Sequence, residues 1–415
     1  MKQGIFKRLS KPWTLMVVAV FVLAVAACGG DDPATPTTGT GGGDPTATPS
    51  GGAPTSTPNS GQNGGGNGDI DDIPFTTDRD MTLNGAGATF PFVLYSQFAE
   101  SYNQLNSGLQ VNYSSIGSGG GIRQVIEKTV DFGGTDGPMN DEQKEQAGSR
   151  VLHVPIAMGS VVPAYNLPGN PQVRFTSETI AGIFLGDITN WNDPRLAEDN
   201  PDVELPDRNI AVIHRSDGSG TTFIWVDYLS NVSEEWNSEV GTATSVQWPT
   251  GIGANGNEGV ANQIRQIPGA VGYVELAYAT QNDLAVGHLQ NREGNFIEPN
   301  LESVSAAAGG MIAAGEFPEN MEARVVDAPG EDSFPAAGFT WYLIYQELNV
   351  LQQMNLERAQ ELIRYTLWSL DQEGGQQYHA DLDYAPLDPL VIDMAKEALK
   401  TVTFNGEPVW ETMLP

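Results

Sequence analysis

Four short stretches of this chain put glycines and short hydroxyl side chains where strand-like runs end. They are Gly85-Ala86-Gly87-Ala88-Thr89-Phe90, Ile116-Gly117-Ser118-Gly119-Gly120-Gly121, Asp131-Phe132-Gly133-Gly134-Thr135-Asp136 and Arg215-Ser216-Asp217-Gly218-Ser219-Gly220-Thr221. The first, second and fourth run into segments of helical periodicity. A helix start carries unpaired N–H groups and a partial positive charge, so it can hold an anion without a lysine. Thr89, Ser118, Ser219 and Thr221 each bring a hydroxyl to such a start, either as a helix cap or as a second donor to a ligand. Arg215 can grip an oxyanion with its guanidinium fork, and Asp217 is placed to orient it. Asp136 is the odd member, a carboxylate among donors.

Catalytic readings find little support. The Gly85-x-Gly87 start lacks the third glycine of a dinucleotide fingerprint, since Phe90 stands there. No Gly-Lys pair exists for a phosphate-binding loop of the nucleotidase type. His153, His214, His288 and His379 are scattered without metal-ligand spacing and are read as structural. Neither Ser118 nor Ser219 sits in a Gly-x-Ser-x-Gly turn. No metal and no cofactor are expected.

The ends and the composition narrow the class further. Residues 1–27 read as an export signal, with Lys2, Lys7, Arg8 and Lys11 ahead of an apolar run too short for a comfortable membrane span. The run closes Val25-Ala26-Ala27-Cys28, which resembles a bacterial lipobox with Cys28, the only cysteine, as the lipidated residue. Residues 28–75, rich in Gly, Pro, Thr and Ser, should form a disordered tether spanning roughly 40 Å as a flexible coil. The chain carries 52 acidic and 20 basic residues, a net charge of −32 that becomes about −36 once the signal's four cations are removed. That field excludes nucleic-acid binding and repels anionic ligands at long range. An oxyanion site here must work by short, aligned hydrogen bonds.

The elements that would position these loops alternate in type. Phe92, Tyr95, Ala99 and Tyr102 mark a helix face, Leu109, Val111 and Tyr113 a strand, Ile122, Val125 and Ile126 a helix, and Val130 and Phe132 a strand. A second α/β block follows. Val161, Val162 and Ala164, then Ile210–Ile213, Ala270–Leu276 and Phe339–Tyr345 read as strands. Phe223–Leu229 reads as a helix, and Leu356–Leu370 and Leu387–Leu399 read as amphipathic helices. The α/β pattern and the length of the folded part favour two lobes.

From Met81 to the C-terminus the chain resembles the substrate-binding proteins of phosphate ABC importers, the PstS family. The likeness rests on Gly85–Pro91, Val111–Ser118, Asp131–Asp136, Asp217–Thr221, Glu234-Glu235-Trp236 and Pro268–Glu275. The resemblance implies a two-lobe periplasmic-binding-protein fold of type II, with ligand in the interlobe cleft. Lobe I would hold 80–157 and 337–415, and lobe II 158–336. It implies phosphate contacts at Thr89, Phe90, Ser118, Asp136, Arg215, Ser219, Gly220 and Thr221, with Asp217 supporting Arg215. It implies no enzyme activity, inorganic phosphate as ligand, and permease and ATPase subunits of an importer as partners. It further implies a monomer held outside the cytoplasm on the cell membrane by lipidated Cys28. Where the family often has Gly-Ser-Ser-Gly-Gly, this chain has Gly-Ser-Gly-Gly-Gly at 117–121, so Gly119 offers no second hydroxyl.

Asp136 separates the alternatives. An ionised carboxylate accepts hydrogen bonds and cannot donate. It favours an oxyanion that keeps a proton near neutral pH, as phosphate does, and disfavours sulfate, which keeps none. A sulfate or molybdate binder is the alternative within the binding class, and an exported phosphatase is the alternative outside it.

Overall fold

Alternating strands and helices build the molecule from Met81 onward, and the computed structural model describes residues 68–414. The signal 1–27, Cys28 and most of the 28–75 tether lie outside the described residues. The elements that matter here are β1 (Met81–Gly87), α1 (Phe92–Leu105), β2 (Leu109–Ser115), α2 (Ser118–Ile126), β3 (Phe132–Thr135) and the long β4 (Val151–Tyr165). Then come β5 (Ala211–Arg215), α3 (Gly220–Val232), β6 (Ile252–Ala254), α4 (Gly256–Gln266) and β7 (Ala270–Glu275). β8 (Ala337–Tyr345), α5 (Leu356–Leu370) and α6 (Pro389–Lys400) complete the set.

The main sheet runs β2-β1-β3-β8-β4-β7-β5-β6. β1 pairs in parallel with β2 and β3, while β8 runs antiparallel between β3 and β4. β5 pairs in parallel with β6 and β7. β4 joins the two halves. It pairs with β8 as far as Ser160↔Ala337 and with β7 from Val161↔Glu275. Strand ends from both halves, and the loops that follow them, therefore converge near the handover on β4.

Sequence patterns and elements agree with instructive exceptions. β4 is nearly four times as long as the Val161–Ala164 run suggests, because Pro155 and Pro163 interrupt the pattern yet sit within the paired strand. On α1 the buried face is Leu94, Tyr95, Phe98 and Tyr102, and Phe92 is exposed. α5 is buried on nearly all sides rather than amphipathic. Its Glu361 is closed off by Arg79 at 2.8 Å and Arg364 at 3.3 Å. Packed structure also begins before residue 75. Ile70 and Ile73 are buried, Asp69 caps the short turn Ile70–Asp72, and Lys396 and Lys400 reach Asp71 and Asp69 at 2.6 and 2.8 Å. Burying two isoleucines, about 1.5–3 kcal/mol each, overrides the local Gly/Asp composition.

Candidate functional site

Gly117 turns the chain from β2 into α2 with φ of 80°, a conformation that a side chain resists. This turn delivers Ser118 as the first residue of α2, fully buried, with its hydroxyl at a junction of three loops. Ser118 Oγ accepts from the backbone N–H of Asp136 at 3.2 Å and of Gly220 at 3.0 Å, and donates to Asp136 Oδ2 at 3.3 Å. Gly119 N donates to the Gly218 carbonyl at 2.9 Å. A Cβ at position 220 would lie 2.5 Å from Asp136 Cβ and from Ser118 Oγ, so only glycine allows this approach.

The fourth loop contributes charge. Arg215 ends β5, is buried, and makes a forked pair with Asp217: Nε to Oδ1 at 2.8 Å and Nη2 to Oδ2 at 2.5 Å. Its Nη1 reaches Thr221 Oγ1 at 3.4 Å. Asp217 also accepts from Gly256 N at 3.2 Å. Burial alone would raise the Asp217 carboxyl, but the hydrogen bonds and charge of Arg215 outweigh it and hold Asp217 below the usual carboxylate range. Ser219 caps α3 by accepting from Thr222 N at 3.0 Å, which leaves its hydroxyl hydrogen to donate.

The first loop is held by side chains from elsewhere. Thr89 Oγ1 accepts from Asn257 Nδ2 at 2.9 Å, and the Thr89 carbonyl from Tyr278 at 2.6 Å. The Phe90 carbonyl accepts from Tyr384 at 2.7 Å, and the Phe90 ring is fully buried 6.2 Å from that of Tyr384.

Asp136 follows β3 with no arginine on its oxygens. Burial pushes its carboxyl up to about 7, against the pull of the Thr340 hydrogen bond, the Arg215 charge and the Ser118 hydrogen bond. The loops thus bring together Thr89, Ser118, Asp136, Arg215, Asp217, Gly220 and Thr221, all but Asp217 shut off from solvent. The ensemble is donor-rich, with one carboxylate, Asp136, that has no cation paired to it. That combination suits a tetrahedral oxyanion that retains a proton.

Two members went unread in the sequence. Asn257, in the first turn of α4 and fully buried, gives its two amide hydrogens to Thr89 Oγ1 and, at 3.0 Å, to Thr221 Oγ1. Its Oδ1 accepts from Glu275 N at 3.1 Å. With their lone pairs engaged, both threonine hydroxyls are left to donate elsewhere. Thr340, in β8, donates to Asp136 Oδ1 at 2.8 Å. Its signal in the sequence is faint: a lone short hydroxyl in the apolar run Phe339–Tyr345.

The histidines have other duties. His214 donates from Nδ1 to the Arg215 carbonyl at 2.9 Å and stacks on Trp248 at 4.8 Å. His153 and His379 are buried, and desolvation drops them to about 3 and about 4. Among the described residues no group of three or more His, Cys, Asp and Glu side chains could hold a metal, and no helix is long and apolar enough to cross a membrane.

A two-lobe α/β architecture is the class that this sheet order defines, and the comparisons place the chain more finely. A family model described as "PBP superfamily domain" matches residues 49–367. A "Phosphate-binding protein PstS" of Pasteurella multocida is 41% identical over 339 residues, covering 81% of this chain and 95% of the relative. A protein of the same description from Methanocaldococcus jannaschii is 33% identical over 363 residues, covering 83% and 91%. The crystal structure of a phosphate-binding protein from Stenotrophomonas maltophilia shares the fold, with a TM-score of 0.60, 20% identity, and coverage of 79% of this chain and 96% of that one. The chain belongs to the PBP superfamily and, within it, to the PstS family.

Proposed function

We propose that this chain captures inorganic phosphate and delivers it to an ABC-type importer, acting by binding and not by catalysis. The observation that carries the reading is Asp136, one carboxylate without a cation partner within a buried ring of donors. The PstS relatives are described as phosphate-binding proteins. The contacts would be Thr89, Phe90, Ser118, Asp136, Arg215, Ser219, Gly220 and Thr221, with Ser219 offering its hydroxyl hydrogen while the oxygen caps α3 and its backbone N–H is spent on the Thr244 carbonyl.

In this reading lobe I comprises 80–157 with 337–415 and lobe II 158–336. The exchange of β4 from β8 to β7 between Ser160 and Val161 supports crossings near these boundaries. The cleft closes by hinge motion about them. Direct bonds between the halves, such as Gly220 N to Ser118 Oγ, support a closed state held by the ligand's own partners. The export signal and Cys28 support a lipid anchor outside the cytoplasm, with permease and ATPase subunits as partners and a monomeric capture unit.

Calorimetry on the full chain with phosphate, sulfate and arsenate, with and without chelator, tests the reading. Phosphate should bind one to one, unaffected by chelator, and sulfate should fail to compete. Sulfate binding equal to phosphate binding, or chelator-sensitive affinity, would overturn it. For the anchor, Cys28→Ser should release the protein from membranes without changing affinity, and retention would refute lipidation.

A further inference from the structure

We propose that Thr340 is a specificity-determining positioning residue: its hydroxyl holds Asp136 Oδ1, leaving Oδ2 as the acceptor offered to the bound anion. The inference rests on the phosphate-binding reading above and adds to it a residue that never touches the ligand.

Geometry aims Thr340 at Asp136. β8 pairs antiparallel with β3 at Trp341↔Thr135, so the next position in register sets Thr340 opposite Asp136. On its other side the β8–β4 register slips between Thr340↔Ala157 and Trp341↔Pro155, leaving Ile156 as an extra residue on β4. Such a bulge twists a strand and re-aims side chains beside a site. The bulge is held from behind: Gln376 Nε2 and His379 Nε2 lie 3.2 and 3.0 Å from the Ile156 carbonyl.

The hydroxyl has one hydrogen and a clear preference for its target. Asp136 Oδ1 lies at 2.8 Å, whereas the Thr135 carbonyl lies at 3.4 Å. Tyr95 OH stands 3.5 Å from Thr340 Oγ1 and can donate to it, which leaves the threonine hydrogen for the carboxylate. Both residues are fully enclosed, so water cannot replace the bond.

The charged and titratable groups around Asp136 do not substitute for it. Arg215 on β5 acts through its charge but spends its fork on Asp217. Tyr95 on α1, Tyr113 on β2, Tyr278 and Tyr384 are all pushed up by burial and stay neutral, and Glu275 at the end of β7 is pushed well above the usual carboxylate range. Asp136, raised to about 7, changes charge near neutral pH, and Thr340 is the nearest neutral donor that favours its ionised form. Without that bond Asp136 keeps its proton to higher pH. A protonated carboxyl can donate, so a proton-free anion becomes acceptable.

The test measures phosphate and sulfate affinities of the full chain, Thr340→Val and Thr340→Ser by competition titration through a pH series spanning neutrality. Thr340→Val should still bind phosphate, but its phosphate-over-sulfate ratio at neutral pH should fall roughly tenfold or more. The pH midpoint of selectivity should move upward by about one unit. Thr340→Ser should stay within roughly threefold of the parent, because it restores the donor. Thr340→Cys, with a weak S–H donor, should shift the midpoint the same way by less, and it decides the matter if the valine variant does not fold. Selectivity and midpoint unchanged in Thr340→Val, or in Thr340→Cys where that variant stands in, would overturn the proposal while leaving the phosphate reading intact. A parent chain that binds no phosphate would instead refute that reading.

Discussion

Asp136 and Asp217 stand on two of the loops that meet around Ser118 and Gly119 and live in opposite environments. Asp217 is gripped by both arms of Arg215 and accepts a further backbone N–H, so it stays ionised well into acid. Asp136 is dry, held by two hydroxyls and a distant positive charge, and its carboxyl rises to about 7. One wall carries a fixed, self-neutralised pair that orients a cation. The other carries an acceptor whose charge is poised. Two carboxylates with separated ionisation can hold separate roles, in the proposed reading orientation for Asp217 and selection for Asp136.

Breaking the Asp217 side should have the largest effect. Arg215→Met removes the buried cation that these loops carry among the described residues and strands Asp217 without its partner. Phosphate affinity should drop by roughly two to three orders of magnitude, as truncating one member of a buried charge pair costs about 2–5 kcal/mol. Isothermal titration would show it, and a loss below tenfold would mean that Arg215 does not touch the anion.

On the opposite wall, Asp136→Asn keeps the size and adds a donor. Phosphate affinity should change modestly, but sulfate affinity should rise, compressing the ratio by about ten- to a hundredfold, the worth of a hydrogen bond to a charged group. Competition at one pH measures this. A variant that excludes sulfate as strongly as the parent would dissolve the contrast between the two aspartates.

Asp217→Asn sharpens the comparison from the other direction. The amide still accepts from Arg215 but no longer fixes both nitrogens with charge. Phosphate affinity should fall by about tenfold, with the phosphate-over-sulfate ratio nearly unchanged. A collapse of selectivity here would assign discrimination to the wrong wall.

The smallest effect concerns stability without ligand. Asp136 has a folded-state value near 7, above the roughly 3.9 of an unfolded aspartate. Its contribution is therefore fully present below that unfolded value and is lost as pH rises through about 7. Thermal melts should show the parent losing stability between about pH 4 and about 7 relative to Asp136→Asn, by several degrees in all, and levelling off above. Identical pH profiles for the two proteins would mean that Asp136 is ionised throughout.

Much of the site could be read along the chain because its parts are local. A turn that ends a strand and starts a helix needs small residues and hydroxyls at fixed offsets, so Thr89, Ser118, Ser219 and Thr221 stood out. Ser219 shows the limit of such reading, since the offset marks a cap and a ligand donor alike, and its hydroxyl caps α3. Asn257 and Thr340 were invisible for a different reason. Each acts on a residue more than 150 positions away, through pairing that no short window contains.

The linear order of residues determined the alternating α/β pattern, the donor-rich turns, the exclusion of nucleic acid by a net charge of −32, and the placing of one carboxylate among those turns. These follow from backbone geometry and composition, which short stretches already contain. What only the tertiary structure decided is the state of that carboxylate. Its charge depends on how completely water is removed and on which donors remain, and those came from β8, α2 and β5 folded around it. Desolvation is a property of the whole enclosure, so the same Asp-x-Gly-Gly-Thr-Asp letters could not reveal that Asp136 is poised near neutrality while Asp217 is not.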